Sequence, residues 1–271
     1  MVDGMAIGWI DDQRAQQLKN FDDVLVVDDD RVCFVHGVTA PLARTAAMEH
    51  VARQLSADGS LSAWRNERYA VVCEFGDRPC FELERCAARY FGIRTFAAHI
   101  NGLVHESDGI RMWLGRRSPH KAIDPGLLDN LVGGGVAVGA TVEATVIKEA
   151  WEEAGIASTL AATAQAAGTL RICRSHPKGL ERETVYVHDL WLDAGFIPKG
   201  IDGEVVEFRV ETLVDAARLA GNCEGGDVVT ADASLVIADC LMRYNLIAAE
   251  TTDYTALDVL RSASLEPSNR A

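Results

Sequence analysis

The chain has 271 residues, which is enough for one large domain or two small ones with hydrophobic cores. Apolar residues make up 48% of it, a fraction typical of globular rather than disordered proteins. The net charge of −14 and the lack of a Lys/Arg-rich block argue against nucleic-acid backbones and anionic membrane surfaces as main partners.

The first 93 residues carry the pattern of a small α+β domain without a motif typical of a catalytic or binding site. In its longest predicted helix, Leu42, Ala46, Val51 and Leu55 have helical spacing and are expected on a buried side. The predicted elements are, in chain order, a helix over 11–18, strands over 24–27 and 32–35, a helix over 39–55, a strand over 69–75 and a short helix over 82–90.

Residues 94–250 have the pattern of a second domain, and residues 251–271 are expected to form a tail that is frayed over 266–271. A glycine loop leads into a helix that is expected to begin after the N-cap Thr141 and to end at Gly155. The other predicted elements are strands over 95–104, 109–114, 168–173, 184–192 and 204–210, and helices over 214–219 and 230–244.

The helix before Gly155 carries Glu149, Glu152 and Glu153 at spacings of i, i+3 and i+4. This spacing places the three carboxylates on one helical face, where they repel one another unless a cation binds between them. Carboxylate oxygens are the ligands that Mg²⁺ and Mn²⁺ prefer, and Mg²⁺ typically keeps positions open for phosphate oxygens. The pattern therefore predicts a metal site for a phosphorylated substrate, although a solvated acidic face is the simpler interpretation. For Glu143, stabilisation by the helix dipole competes with a metal role.

Residues 134–156 resemble the Nudix box, which reads Gly, five residues, Glu, seven residues, then Arg-Glu-apolar-x-Glu-Glu-x-Gly-apolar. Gly134 matches the first glycine, and the final block is Lys148-Glu149-Ala150-Trp151-Glu152-Glu153-Ala154-Gly155-Ile156. Ala140 stands where the family has its first Glu, and Glu143 one turn further on is a partial substitute. Lys148 stands where the family has Arg, and it keeps the charge but loses the two-pronged geometry.

Three stretches together resemble one branch of that family: residues 91–102, residues 128–134 and the block that begins at Lys148. The branch carries an N-terminal extension described as thiamine-pyrophosphokinase-related. Its members read Lys-Glu where most Nudix proteins read Arg-Glu, so Lys148 is a mark of this subgroup rather than a defect.

The resemblance implies an α/β fold, namely a Nudix α/β/α sandwich with a mixed sheet, here preceded by the small α+β domain. It also implies an enzyme that uses Mg²⁺ or Mn²⁺ to hydrolyse the diphosphate linkage of a small organic or nucleoside diphosphate. For this branch the implied substrate is thiamine diphosphate or a damaged analogue. A homodimer is the expected assembly because homodimers are common among such domains.

The same resemblance assigns roles around the metal. Glu152 and Glu153 are the implied metal ligands, and a backbone carbonyl of Gly133 or Gly134 completes part of the shell. Glu149 is either a further ligand or the residue that orients the attacking water.

Candidate residues for the substrate and for proton transfer lie outside the box. Glu204 follows a turn and is the candidate general base, with an ordinary surface acid as the alternative. Arg116, Arg117 and Lys121 precede the box and are candidates for the distal phosphate, with loop solubility as the alternative for each. Trp151 is expected to pack rather than to stack on a base.

Two other function classes compete with a hydrolase. Ala140 favours a catalytically weak module that binds or senses a phosphorylated ligand. A transcriptional regulator would need a basic DNA-binding domain, and the net charge of −14 argues against one.

The seven cysteines are odd in number, scattered, and form no Cys-x-x-Cys pair. Neither a zinc ribbon nor a redox motif is therefore indicated. The first 17 residues lack a signal-peptide pattern, and no apolar stretch is long enough to span a bilayer. These features predict a cytoplasmic setting.

Overall fold

The computed structural model describes residues 1–247 and Asp258, so the predicted tail lies outside the described residues apart from Asp258. The helices are α1 (Asp12–Leu18), α2 (Pro41–Ala57), α3 (Val142–Ala154), α4 (Ser158–Ala161), α5 (Leu213–Ala220) and α6 (Ala231–Arg243). The strands are β1 (Leu25–Val27), β2 (Val32–Phe34), β3 (Arg68–Val71), β4 (Phe81–Glu84), β5 (Arg94–Glu106), β6 (Gly109–Arg117), β7 (Leu128–Asn130), β8 (Val132–Gly135), β9 (Gln165–His176), β10 (Gly179–Leu192) and β11 (Val205–Thr212).

The N-terminal region has its own hydrophobic core, in which α2 packs against β4. The prediction that α2 buries Leu42 and Ala46 is wrong, because both side chains are exposed. The buried stripe instead contains Met48, Val51 and Leu55. These residues lie at i, i+3 and i+7, and this spacing leaves the side of Leu42 facing solvent.

The helix predicted over 82–90 is also wrong. Its first residues belong to strand β4, and a 3₁₀ turn over Arg85–Ala87 follows. Phe81 and Leu83 are buried on alternate positions, and Tyr69 of β3 pairs with Leu83. Period-two alternation is the signature of a strand, and it outweighs the helical propensity of the residues that follow.

The second region is built on a seven-stranded sheet in which β11, β6, β5, β10 and β9 are neighbours, with β7 added to β6 and β8 added to β5. Strand β5 pairs with β10 in parallel and with β6 antiparallel, so the sheet is mixed. The predicted strands over 95–104, 109–114, 168–173 and 184–192 lie within it, and the one predicted over 204–210 overlaps β11, which begins at Val205.

Helices cover both faces of this sheet. On one face, Ala98 and Ile100 of β5 share a core with Val146 and Ala150 of α3. On the other face, Leu103 of β5 shares a core with residues of α5 and α6. The fold is therefore α/β, an α/β/α sandwich with a mixed sheet that follows a small region of strands and helices. The fold class predicted from the sequence is confirmed.

Two further observations concern the described residues alone. None of their helices combines the length and the apolarity needed to cross a bilayer. The seven cysteines all lie within residues 1–247, and none of them forms a disulfide there.

Candidate functional site

Helix α3 carries the three predicted carboxylates. It begins and ends at the caps that the sequence predicts. The Thr141 hydroxyl accepts a hydrogen bond of 3.1 Å from the amide of Ala144, and Gly155 ends the helix with φ of 66°. Glycine adopts the left-handed conformation at little energetic cost, which explains why the helix ends at this residue. Glu153 projects toward the sheet and is buried, whereas Trp151 is 51% exposed, contrary to the expectation that it packs.

The glycine run is a strand and not the predicted loop. Gly133, Gly134 and Gly135 belong to β8 and pair with β5. The Gly133 amide donates a 2.8 Å hydrogen bond to Glu153 Oε2. A Cβ atom on Gly134 would lie 2.2 Å from Glu149 Cγ. The missing side chains therefore let two helix carboxylates approach the β8 backbone closely.

Replacing Gly134 with alanine is expected to push the Glu149 side chain out of this position, because the added Cβ would also lie 2.4 Å from its carboxyl carbon. Overpacking of this kind typically lowers the free energy of unfolding by about 1–3 kcal/mol, and urea denaturation measures it. Gly168→Ala is the matched control, because in that strand the nearest atom to the added Cβ is 4.0 Å away. Equal losses in the two variants would contradict the role of Gly134.

A single cationic centre joins two of the carboxylates. Lys148 Nζ lies 2.8 Å from Glu149 Oε1 and 2.8 Å from Glu152 Oε2. Burial works to lower the pKa of Lys148, but hydrogen bonds to Glu149 and Glu152 outweigh it, and the pKa is raised. The two carboxylates are thus already directed at one positive charge. A hard divalent cation favours the same oxygen donors, so the residues present fit Mg²⁺ or Mn²⁺.

Burial strongly affects the acids of α3. It raises the pKa of Glu153 to about 7, against the lowering effects of the Lys121 charge and the Gly133 amide. Burial also raises the pKa of Glu149, against the hydrogen bond from Lys148. These shifts mean that the fold holds anionic oxygens where water solvates them poorly, and a bound cation would relieve that cost.

The structure brings Lys121 and Glu204 to the same place. Lys121 Nζ lies 3.7 Å from Glu153 Oε1 and makes a short contact with Glu204 Oε2. Although burial works to raise the pKa of Glu204, the charges of Lys121 and Arg65 lower it below its usual range. Glu204 is therefore ionised at neutral pH.

The other two predicted cations lie on opposite sides of β6, as successive strand residues do. Arg117 is largely buried and donates to Asp129 Oδ2 at 2.7 Å. Burial works to lower the pKa of Arg117, but Asp129 and, to a smaller extent, the charge of Glu153 raise it. Arg116 donates to Glu207 at 2.6 Å and to Asp227 at 2.5 Å. Arg117 therefore lies on the side of the α3 carboxylates, and Arg116 is engaged elsewhere.

Sequence reasoning missed residues of the N-terminal region at this site. Arg65 Nη1 lies 3.4 Å from Glu204 Oε1. Burial works to lower the pKa of Arg85, but Tyr69, Glu67 and, to a smaller extent, the charge of Glu149 raise it. No sequence motif marks either arginine, because their placement depends on how the two regions pack.

A second group of acids was also missed. Carboxylate oxygens of Glu181, Glu183 and Asp232 lie within 4.8 Å of one another. Glu181 makes short contacts with Arg89 and Arg174, so this group is an ion-pair network that already contains its cations. It joins β10 to the start of α6, and residues so far apart in sequence give no local signal.

Comparisons with known proteins cover both regions. A family model described as the NUDIX domain matches residues 95–231, and a domain of unknown function, DUF4743, matches residues 1–95. The chain is 33% identical to "Nudix hydrolase 20, chloroplastic" of Arabidopsis thaliana over 95% of its own length and 70% of that protein. It is 35% identical to "Nudix hydrolase 24, chloroplastic" of the same organism over 96% of its own length and 71% of that protein. Among solved structures, DR0079 of Deinococcus radiodurans is similar, with a TM-score of 0.47 and 25% identity over 64% of this chain and 99% of that one.

Proposed function

The chain belongs to the Nudix hydrolase family, and from this premise we propose that it hydrolyses the diphosphate linkage of a small organic or nucleoside diphosphate with a divalent cation. The observation that carries the proposal is the convergence of Glu149 and Glu152 on one cationic centre, next to the buried Glu153. This donor set suits a hard cation that also binds phosphate oxygens.

In the proposed site, Glu149, Glu152 and Glu153 hold Mg²⁺ or Mn²⁺, together with a backbone carbonyl of Gly133 or Gly134. When bound, such a cation neutralises charge on the phosphate oxygens and lowers the pKa of a coordinated water. Positioning and electrostatics then account for most of the acceleration, because phosphoryl chemistry requires little covalent participation from the protein.

The remaining residues have separate proposed roles. Glu204 accepts the proton of the attacking water, because its carboxylate contacts Lys121, which also lies 3.7 Å from Glu153 Oε1. Lys121 holds a phosphate oxygen, since it is the predicted cation that contacts Glu153. Arg117 holds the loop that carries Lys121, through hydrogen bonds to the carbonyls of Ile123 and Asp124.

Thiamine diphosphate or a damaged analogue is the finer substrate proposal. It rests on the resemblance of residues 91–102 and of the Lys148–Glu149 pair to the branch with a thiamine-pyrophosphokinase-related extension. The match of DUF4743 to residues 1–95 is consistent with an N-terminal extension of that kind.

A panel of diphosphates tests the activity. The expected result, in the presence of Mg²⁺, is release of inorganic phosphate from at least one of thiamine diphosphate, oxidised thiamine diphosphates and nucleoside diphosphates, or release of AMP from ADP-ribose. EDTA is expected to abolish release, and added Mg²⁺ or Mn²⁺ to restore it, because carboxylates alone cannot neutralise phosphate charge. Absence of release from every member of the panel would contradict the proposal.

Binding without turnover is the second candidate function. The observation that favours it is Ala140, which is half-buried and packs against the core that contains α3, where the family has a carboxylate. A ligand that raises the melting temperature and remains intact after prolonged incubation with Mg²⁺ would identify this function.

A further inference from the structure

The N-terminal region contains a strained loop beside the candidate site. Ala63 and Asn66 have φ of 64° and 55°, in the left-handed region that non-glycine residues rarely adopt. Each such residue is strained and persists only where its surroundings enforce it. Such strain often accompanies a binding or catalytic role, so we ask where this loop directs its side chains.

Several contacts enforce the conformation of this loop. Trp64 Nε1 donates to Asn66 Oδ1 at 2.8 Å, and the Arg53 guanidinium lies 4.8 Å from the centre of the Trp64 ring. The amide of Arg65 donates to Oε1 of the buried Glu84 at 2.9 Å. The backbone of Arg65 is therefore fixed from both sides, while its side chain is left to project.

The side chain of Arg65 projects to the candidate site of the other region. Its Nη1 atom lies 3.4 Å from Glu204 Oε1, and 44% of the side chain is exposed. This distance is long for a charge-assisted hydrogen bond, for which about 2.7–2.9 Å is typical. A guanidinium has five N–H donors, so a loose contact with one carboxylate oxygen leaves donors for an anion.

Arg85 supplies a second cation at the same rim. It donates to Glu67 Oε2 at 2.6 Å, and its guanidinium lies 5.8 Å from the centre of the Tyr69 ring. The Tyr69 hydroxyl rests against Gly135 of β8, where a Cβ atom would lie 2.1 Å from it. This contact places Arg85 near the strand that supports Glu149, and 42% of its side chain is exposed.

We propose that Arg65 and Arg85 bind the diphosphate oxygens of the substrate, so that the N-terminal region completes the site formed around α3. The inference rests on the proposed function, because it assigns residues to the same anion. A guanidinium binds phosphate through two parallel N–H donors and carries its charge at every working pH. Phosphate also competes with Glu204 for Arg65, so substrate binding removes one of the two cations that contact that carboxylate.

The test compares Arg65→Gln and Arg85→Gln with the wild-type protein on the best diphosphate of the panel. Loss of one charge-assisted hydrogen bond is expected to raise KM roughly tenfold to a hundredfold, while kcat changes by less than about threefold because ground state and transition state both use the contact. Arg65→Lys is expected to recover part of the loss, because it restores charge without the paired donors. Arg31→Gln is the control, since Arg31 is similarly exposed and pairs with Asp28 at 3.0 Å in the same region.

Binding of methylenediphosphonate, a diphosphate that cannot be hydrolysed, gives a second readout that does not depend on turnover. With Mg²⁺ present it is expected to raise the melting temperature of the wild type and of Arg31→Gln, and to do so much less in the two variants. Unchanged KM and unchanged stabilisation in a folded Arg65→Gln protein would overturn the inference, and so would failure of the wild type to bind methylenediphosphonate. Absence of turnover by a wild type that binds it through Arg65 would overturn the proposed hydrolysis alone.

Discussion

The double variant Glu152→Gln/Glu153→Gln is expected to lose at least about a thousandfold in Mg²⁺-dependent hydrolysis while remaining folded. A catalytic metal contributes several kcal/mol of transition-state stabilisation, and each 1.4 kcal/mol corresponds to about a tenfold change in rate. Glutamine keeps the shape of each side chain but removes the anionic oxygens that a hard cation requires. Steady-state phosphate release and Mn²⁺ binding, measured on the same preparations, check the prediction.

Glu204→Gln is the matched comparison, because it removes the candidate base and leaves the carboxylates of α3 in place. It is expected to bind Mn²⁺ as the wild type does and to lower kcat. Hydrolysis that persists undiminished in the double variant would show that the site assigned to α3 is wrong, whatever the outcome for Glu204.

The caps and the face of α3 could be predicted from the sequence because local contacts determine them. Thr141 bonds to an amide three residues away, and Gly155 adopts the left-handed conformation that a C-cap requires. The spacing of Glu149, Glu152 and Glu153 then follows from helical geometry alone. This part of the prediction therefore depends only on contacts within about one helical turn.

The sequence predicts a loop at the glycine run, and not the observed strand β8, because glycine does not indicate a strand unless the neighbouring strand is known. Gly133–Gly135 would form a loop if only local preferences acted, since glycine weakens a strand. The pairing with Ala97–His99 of β5 and the close approach of Glu149 and Tyr69 explain why glycine stands there. That explanation requires the tertiary structure, which no local pattern contains.

The contact between Lys121 and Glu204 spans 83 residues of sequence. Each residue was singled out separately, as a phosphate ligand and as a base, but no spacing rule connects them. Arg65 and Arg85 were not singled out at all, because their role depends on a strained loop and on the packing of one region against the other. The sequence therefore does not predict which residues that are distant along the chain lie close together at this site.

Glu153→Gln alone is expected to stabilise the metal-free protein at pH 8, even though it should impair hydrolysis. Burial raises the pKa of Glu153 from its ordinary value of 4.5 to about 7. The folded protein therefore binds this proton more tightly than the unfolded chain does. Above pH 7 the ionised, buried carboxylate destabilises the fold by at most about 3.5 kcal/mol, since one pKa unit corresponds to about 1.4 kcal/mol.

The pH dependence identifies the cause. Below pH 4.5 Glu153 is protonated in both states and carries no penalty, whereas the penalty grows between pH 4.5 and pH 7 and is fully present above pH 7. The difference in melting temperature between Glu153→Gln and wild type, measured in EDTA, should therefore be large at pH 8 and small at pH 4.5. Glu143→Gln is the control, because hydrogen bonds lower the pKa of that exposed residue and its loss is not expected to stabilise. A constant difference across this range would contradict the assignment.

Mg²⁺ should reverse the order of stability. A cation that binds the folded wild type stabilises it by mass action, whereas Glu153→Gln lacks an anionic ligand and gains less. The melting temperature of the wild type at pH 8 is thus expected to approach or exceed that of the variant as Mg²⁺ is added. If Glu153 is a metal ligand, its buried carboxylate should weaken the metal-free fold, and a bound cation should compensate for that loss of stability. A purely structural acid would show no such reversal of stability when Mg²⁺ is added.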